Sequence, residues 1–175
     1  MTRTKRAGGI QAEIRQSRPF RSAGQEATIA LLRTASVVGR ALERVVEPSG
    51  LSLAQYNALR IVRGAGSAGI ATLAIRERMV DEGTTITRLL DKLEAAGLVR
   101  RERSLPDRRQ VICYATADGR ALLDRLDPWV DAADEAAVAA LDSGELESFI
   151  GMLDAIRRDN AERGAPRIGG RVVAG

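Results

Sequence analysis

The segment "TTITRLLDKLEAAGLV" (84–99) constrains the fold more than any other stretch, because its apolar residues recur at helical spacing. Its polar residues fall on the opposite side. The inner side of this helix takes four apolar residues: Ile86, Leu89, Leu90 and Leu93. Gly97 fits the left-handed position that ends such a helix, and Leu98 after it can pack back on Leu93. The sequence therefore predicts an amphipathic helix with a glycine C-cap.

Two longer helices are predicted nearer the N-terminus. Apolar residues recur at helical spacing over 26–47, and the run ends at Pro48. Ser52 and Gln55 form a capping box that begins a second helix, which continues to the glycine-containing turn over 64–69. A mainly helical protein is expected, and the composition agrees, since 45% of the residues are hydrophobic and only 3% are aromatic.

A short helix is predicted between that turn and the first segment. It covers "IATLAIRERMV" (70–80), and Gly83 lies in the break that separates it from the helix beginning near Thr84. Two helices joined by a short glycine-containing turn are typical of a helix-turn-helix motif.

A β-hairpin is predicted directly after the helix-turn-helix motif. "VRRER" (99–103) and "QVICYA" (110–115) have the composition of strands, with a loop between them. Arg108 and Arg109 lie in this loop beside Asp107, which could hold one guanidinium in a charge-assisted pair and leave the other to probe a partner. Adjacent arginines at such a tip can enter a narrow minor groove of DNA.

Two further helices are predicted after the hairpin. Thr116 suits an N-cap, from which a long helix runs to about Leu141, and a last helix begins near Asp142 or Ser143. Residues 127–147 contain seven acidic residues and no Lys or Arg. A solvated helix face is the favoured explanation, and this part of the chain is not expected to approach DNA.

The absence of histidine from the sequence excludes Ser-His-Asp and Cys-His catalysis and the common His-containing zinc sites. No phosphate-binding loop, dinucleotide fingerprint or nucleophile elbow is found, so we expect no enzyme, metal or cofactor. Cys113 stands alone and is expected to be a buried apolar residue rather than a redox sensor. With no membrane span and no secretory signal, a cytoplasmic protein without a membrane partner is expected.

The outer side of the helix near 84–97 carries polar residues suited to DNA: Thr84, Thr85, Thr87, Arg88 and Lys92. Short hydroxyl residues let a helix approach the duplex, and a longer arginine reaches guanine in the major groove. Polar helix faces are more often merely solvated, but a hairpin with Arg108 and Arg109 makes the combination more specific. The formal net charge of +4 also favours an anionic partner.

These residues also carry a resemblance. "TITRLLDKLEAAGLVRR", "DRR" and "TADGRALL", in this order and with helices on both sides, resemble the MarR family of bacterial winged helix-turn-helix transcriptional regulators. The resemblance covers roughly residues 26–161. It implies a two-fold homodimer in which the first and the last two helices interlock. It also implies a small phenolic or lipophilic ligand, bound where the dimerisation helices meet the DNA-binding lobe.

The expected fold is therefore mainly α with a small β-hairpin wing, in which a winged helix-turn-helix lobe is joined to a helical dimerisation region. Five segments are expected in chain order: a flexible basic arm (1–24), a first dimerisation helix (25–50), the DNA-binding lobe (51–116), the C-terminal dimerisation helices (117–162) and a flexible tail (163–175).

The expected function is that of a repressor-type regulator that binds a pseudo-palindromic operator in double-stranded DNA as a homodimer. Tyr56 and Trp129 are candidates for contact with a small-molecule effector, although aromatic residues at helical spacing more often belong to a core. The alternative is a ligand-independent winged-helix module with an architectural or protein-interaction role. A compound that weakens specific DNA binding would distinguish the two, because only a sensor couples both sites.

Overall fold

The computed structural model describes residues 9–80, 85–104 and 108–163 of the 175-residue chain. Within these ranges the fold is mainly helical with one small antiparallel sheet, as the sequence predicts. The helices are α1 (Ile10–Glu13), α2 (Ala23–Val46), α3 (Leu53–Gly64), α4 (Thr72–Arg78), α5 (Ile86–Ala95), α6 (Ala117–Val138) and α7 (Ser143–Arg163). The strands are β1 (Ile70–Ala71), β2 (Val99–Arg103) and β3 (Val111–Ala115). None of the described helices is long and apolar enough to cross a membrane.

The chain divides after Asp134 into two compact units. The first unit holds α1 to α5, the three strands and most of α6. The second holds the last residues of α6 and all of α7. The buried apolar residues form one core that lies in the first unit, because all of them precede Asp134 in the chain.

Helix α3 begins at the predicted capping box, which the structure confirms. The Gln55 N–H donates to Ser52 Oγ at 3.3 Å, and the Ser52 N–H donates to Gln55 Oε1 at 2.9 Å. Glu43 of α2 accepts a further hydrogen bond from the Leu53 N–H at 2.9 Å. The backbone N–H groups of Leu53 and Gln55 in the first turn of α3 therefore have side-chain acceptors, one from the preceding helix and one from the capping residue.

The segment over 70–80 is only partly helical, so the predicted helix is wrong at both ends. Gly69 adopts a φ of 68°, and a Cβ atom there would lie 2.4 Å from the Tyr114 ring. This glycine brings the chain against β3, where Ile70 pairs with Cys113 as part of β1. Helix α4 therefore starts only at Thr72, and Met79 after it is extended. The predicted break at 81–83 lies outside the described residues.

The C-terminus of α5 has the predicted glycine cap. Gly97 has a φ of 72°. The Leu98 N–H donates to the Leu93 carbonyl at 2.9 Å, and the Gly97 N–H donates to the Glu94 carbonyl at 2.9 Å. These two bonds define a Schellman motif, which turns the chain directly from α5 into β2.

The sheet has the order β1-β3-β2, with both pairings antiparallel. The predicted hairpin is confirmed as β2 and β3. Strand β1 was not predicted from the sequence pattern. Cys113 lies opposite Ile70 on one side and opposite Arg101 on the other, and its side chain is fully buried. Burial raises the pKa of its thiol, as expected for a small core residue rather than a reactive thiolate.

Helix α6 starts at a junction built around Thr116. Its hydroxyl donates to the Gly97 carbonyl at 2.7 Å and accepts from the Gly119 N–H at 3.0 Å, and its own N–H donates to the Leu98 carbonyl at 3.1 Å. The predicted N-cap is therefore confirmed, and the same residue holds the end of α5. The helix then runs through Pro128 and ends at Val138, short of the predicted Leu141.

An ion-pair cluster also joins α6 to α3. Arg63 forms two hydrogen bonds with the Asp127 carboxylate, at 2.7 and 3.2 Å, and one with Asp124 at 3.2 Å. The hydrogen bond to Asp127 raises the pKa of the Arg63 guanidinium. Because the bidentate pair is only partly exposed, it fixes the C-terminal end of α3 against α6.

The N-terminal segment has more structure than the flexible arm predicted over 1–24. Helix α1 forms one turn, and Arg33 Nε of α2 donates to the Glu13 carboxylate at 2.7 Å. Ser22 caps α2 by accepting from the Gln25 N–H at 3.1 Å. A carboxylate and a serine cap thus supply local partners that charge patterning did not reveal, and the flexibility of the arm stays a prediction.

The second unit contains a reciprocal cap at the start of α7. The Glu145 N–H donates to Asp142 Oδ1 at 2.9 Å, and the Asp142 N–H donates to the Glu145 carboxylate at 3.0 Å. Helix α7 begins at Ser143, as predicted. It continues to Arg163, and the predicted tail beyond that residue lies outside the described ranges.

Gly119 gives a test of the junction between α5 and α6. A Cβ atom at this buried glycine would lie 2.2 Å from the Leu98 carbonyl oxygen, so Gly119→Ala must shift the backbone. We expect the free energy of unfolding to fall by about 1–3 kcal/mol, as measured by urea denaturation. Gly64→Ala is the matched control, since a Cβ atom there meets no atom within 4 Å. Equal stability of the two variants would contradict the close approach.

Candidate nucleic-acid interface

The outer face of α5 presents four of the predicted DNA-binding residues to solvent: Thr85, Thr87, Arg88 and Lys92. The opposite face is buried, with Ile86, Leu90 and Leu93 in the core. Leu89, predicted on the inner side, is half-buried and packs against the core. Neither Arg88 nor Lys92 forms an ion pair with another described residue. Their charges are therefore available to an external partner.

Helix α5 begins at Ile86, two residues after the start that the sequence predicts near Thr84. Thr85 is the N-cap, but its side chain makes no capping hydrogen bond. Among the described residues, the first N–H of the helix with a backbone acceptor four residues earlier is that of Leu89, which donates to the Thr85 carbonyl at 3.3 Å. The first-turn N–H groups can therefore bind a phosphate. Thr84 lies outside the described residues.

The wing places its arginines at the turn between β2 and β3. Arg108 and Arg109 are both exposed there, whereas Asp107 lies outside the described residues, so its predicted anchoring role is untested. A groove of about 640 Å³ runs between α4, the start of α5 and the wing. Thr87 and Arg109 line this same groove. The structure therefore brings one predicted recognition-helix residue and one predicted wing residue to a common surface.

Two arginines of β2 make contacts beside the candidate interface that the sequence did not predict. Arg100 lies over the Tyr114 ring, 4.1 Å from its centroid, and pairs with Glu102. Arg101 instead pairs with Glu94 of α5 at 2.5 Å and also reaches Asp91. The sequence pattern that could have indicated this ion pair is two acidic residues three positions apart on α5, Asp91 and Glu94, followed by an arginine in the next strand.

The two candidate ligand residues have different environments. Tyr56 is 3% exposed and belongs to the core, and burial raises the pKa of its hydroxyl. Trp129 is 70% exposed and lines a cavity of about 600 Å³, which Tyr56 does not line. The other residues around this cavity are Val45, Pro48, Ser49, Leu122, Arg125 and Leu126. A core role therefore explains Tyr56 but not Trp129.

Comparisons with known proteins agree with this architecture. A family model described as the MarR family matches residues 51–111, from the start of α3 to the start of β3. The transcriptional regulator HosA of Escherichia coli O157:H7 is 33% identical over 100 residues, which are 57% of this chain and 73% of HosA. The chain belongs to the MarR family. MarR-family members are winged helix-turn-helix transcriptional regulators, a DNA-binding and non-enzymatic class.

Further relatives extend the MarR-family match beyond the central lobe. A helix-turn-helix transcriptional repressor of Mycobacterium tuberculosis is 30% identical over 129 residues, which are 74% of this chain and 91% of that repressor. The crystal structure of a MarR transcription factor from Planctomyces limnophilus is 35% identical with a TM-score of 0.60. The alignment covers 78% of this chain and 99% of that protein, so the MarR-family fold spans most of both molecules.

Proposed function

We propose that this protein is a homodimeric transcriptional repressor that binds a pseudo-palindromic operator and is released by a small aromatic ligand. The observation that carries the proposal is the exposed face of α5, with Thr87 on the same groove as Arg109 of the wing. A MarR mutant of Escherichia coli with the same fold has been crystallised with operator DNA. The action takes place on DNA, so the proposed location is the cytoplasm.

We assign the DNA-binding lobe to residues 51–116 and give each of its proposed DNA-contacting residues a role. Thr84, Thr85, Thr87 and Arg88 contact the major groove, where Arg88 can read a guanine edge. One turn further along the helix, Lys92 contacts a phosphate. Arg108 or Arg109 enters the neighbouring minor groove, oriented by Asp107.

Exposed apolar side chains on α2 and on α7 support a homodimer. Leu32 and Val37 of α2 are 66% and 43% exposed. Ile150 and Met152 of α7 are 51% and 59% exposed, and none of the described α7 residues is buried. Apolar surface of this kind marks an interaction site, and a two-fold axis covers it by pairing identical patches. The segments 25–50 and 117–162 are therefore the proposed dimerisation regions.

The cavity beside Trp129 supports a small-molecule effector. Its lining is mostly apolar, through Val45, Leu122 and Leu126, and Arg125 supplies a cation at the same site. An aromatic acid matches this combination, because its ring packs on apolar side chains and its carboxylate pairs with a guanidinium. DNA binding by BpsR of Bordetella bronchiseptica, which shares the fold, is regulated by 6-hydroxynicotinic acid.

Selection of bound sequences from a random duplex pool tests DNA recognition. We expect an enriched pseudo-palindrome with half-sites about one helical turn apart, roughly 34 Å. For Arg88→Ala we expect a loss on the order of 1–3 kcal/mol on this operator and relaxed preference at one base position, because a base contact disappears. Arg157→Ala, which removes the same charge from α7, is the control. A steep salt dependence on all DNA without enrichment would favour the architectural module instead.

The homodimer is tested by placing charge on the exposed apolar positions. The double variant Leu32→Arg and Ile150→Arg should convert the dimer to a monomer in analytical ultracentrifugation, because burying two guanidinium groups without partners is costly. A double variant of Leu73→Arg and Val80→Arg, which changes two exposed apolar residues of the lobe, should leave the dimer intact. A dimer that withstands the first pair of changes would place the interface elsewhere.

The effector proposal uses the fact that Trp129 is the only tryptophan of the chain. Titration with 6-hydroxynicotinic acid should change tryptophan fluorescence and weaken operator binding, with a coupling of about 1–3 kcal/mol. Trp129→Ala should keep operator binding but lose its response to the compound. A fluorescence change without any effect on DNA binding would indicate a ligand-independent module.

A further inference from the structure

Strand β2 is an edge of the sheet, and one of its outward N–H groups is covered by α5. The register of the β2–β3 pair and the hydrogen bonds at Ser104 and Thr116 show that the backbone N–H and C=O groups of the even-numbered β2 residues point toward β3. The N–H of Arg101 therefore points away from the sheet. It donates to Glu94 Oε1 at 3.1 Å, so a side chain of α5 satisfies an edge group that would otherwise be open.

The Arg101 side chain returns to the same carboxylate. Its Nε and Nη2 donate to Glu94 Oε2 at 2.8 and 2.5 Å, and Nη2 also pairs with Asp91 Oδ1 at 2.7 Å. Glu94 thus binds both the backbone and the side chain of one strand residue. The hydrogen bond from Arg101 also lowers the pKa of Glu94, since it stabilises the charged carboxylate.

These acidic residues occupy an unfavourable place for a DNA-binding surface. Thr87, Asp91 and Glu94 follow helical spacing and lie on one stripe of α5. Seven residues of helix span only about 10 Å, which is comparable with the screening length at physiological salt. On Coulombic grounds alone, the Glu94 charge would weaken binding to a phosphate backbone. This cost directs attention to what the contacts between Glu94 and Arg101 do for the lobe.

We propose that Glu94 is a positioning residue for DNA recognition, which acts through Arg101 to hold the wing against α5. The inference rests on the proposed DNA-binding function. Arg101 lines the groove shared by Thr87 and Arg109, so fixing its strand fixes the distance between the two DNA-contacting elements. Arg101 serves as the link rather than as a DNA contact, because its backbone N–H, Nε and Nη2 all donate to the two carboxylates.

The test is Glu94→Gln, because simple electrostatics and positioning predict opposite results. Removal of a negative charge from the DNA-facing side should tighten binding to every duplex if charge alone matters. If Glu94 positions the wing, binding to the selected operator should weaken roughly tenfold, while binding to a random duplex of equal length stays unchanged or tightens. Fluorescence anisotropy on both duplexes, well below the unfolding temperature, measures the ratio.

Two further variants separate positioning from charge and from loss of fold. Asp118→Asn removes the same charge from α6, where the Asp118 side chain has no partner among the described residues, and should not lower the operator-to-random ratio. The Glu94→Gln and Arg101→Gln double variant should lose no more specificity than Arg101→Gln alone. An equal loss on both duplexes, a tighter operator complex or additive losses would overturn the inference. Absence of an operator for the wild-type protein would instead reject the proposed function.

Discussion

The architecture depends on the corner where the recognition helix ends, the wing begins and α6 starts. The carbonyls of Gly97 and Leu98 both accept from Thr116, so the Schellman turn of α5 and the N-cap of α6 share a single set of hydrogen bonds. The close approach of Gly119 to Leu98 excludes a side chain at position 119. Since α5, β2, β3 and α6 all meet there, the direction of α5 is fixed by backbone groups together with the short hydroxyl side chain of Thr116.

The sequence predicted those parts of the fold whose partners lie close together in the chain. The capping box at Ser52 and the glycine ending at Gly97 involve neighbours within a few residues, so their patterns could be read directly. Strand β1 could not be foreseen, because Ile70 gains its strand partner only from Cys113. The exposure of Trp129 was equally hidden, since helical periodicity does not reveal which faces remain without a neighbour.

For the candidate site, the sequence identified the residue types but not how their charges are used. A count of basic residues treats Arg88 and Arg101 alike. In the structure Arg88 makes no ion pair with another described residue, whereas Arg101 is held by Glu94 and Asp91. The Arg63 side chain of α3 is likewise paired, with Asp127 of α6. The surface available to an anion is thus smaller than a count of basic residues suggests.

The two-residue strand β1 has a consequence for the order in which the lobe can form during synthesis. Ile70 and Ala71 lie just before the first helix of the helix-turn-helix motif, yet their partner strand follows the whole of α5 in the chain and emerges from the ribosome after it. Contacts this distant in sequence close late, because the loop entropy must be paid first. The helices of the motif therefore emerge before the sheet that orients them, and the lobe becomes complete only when β3 arrives.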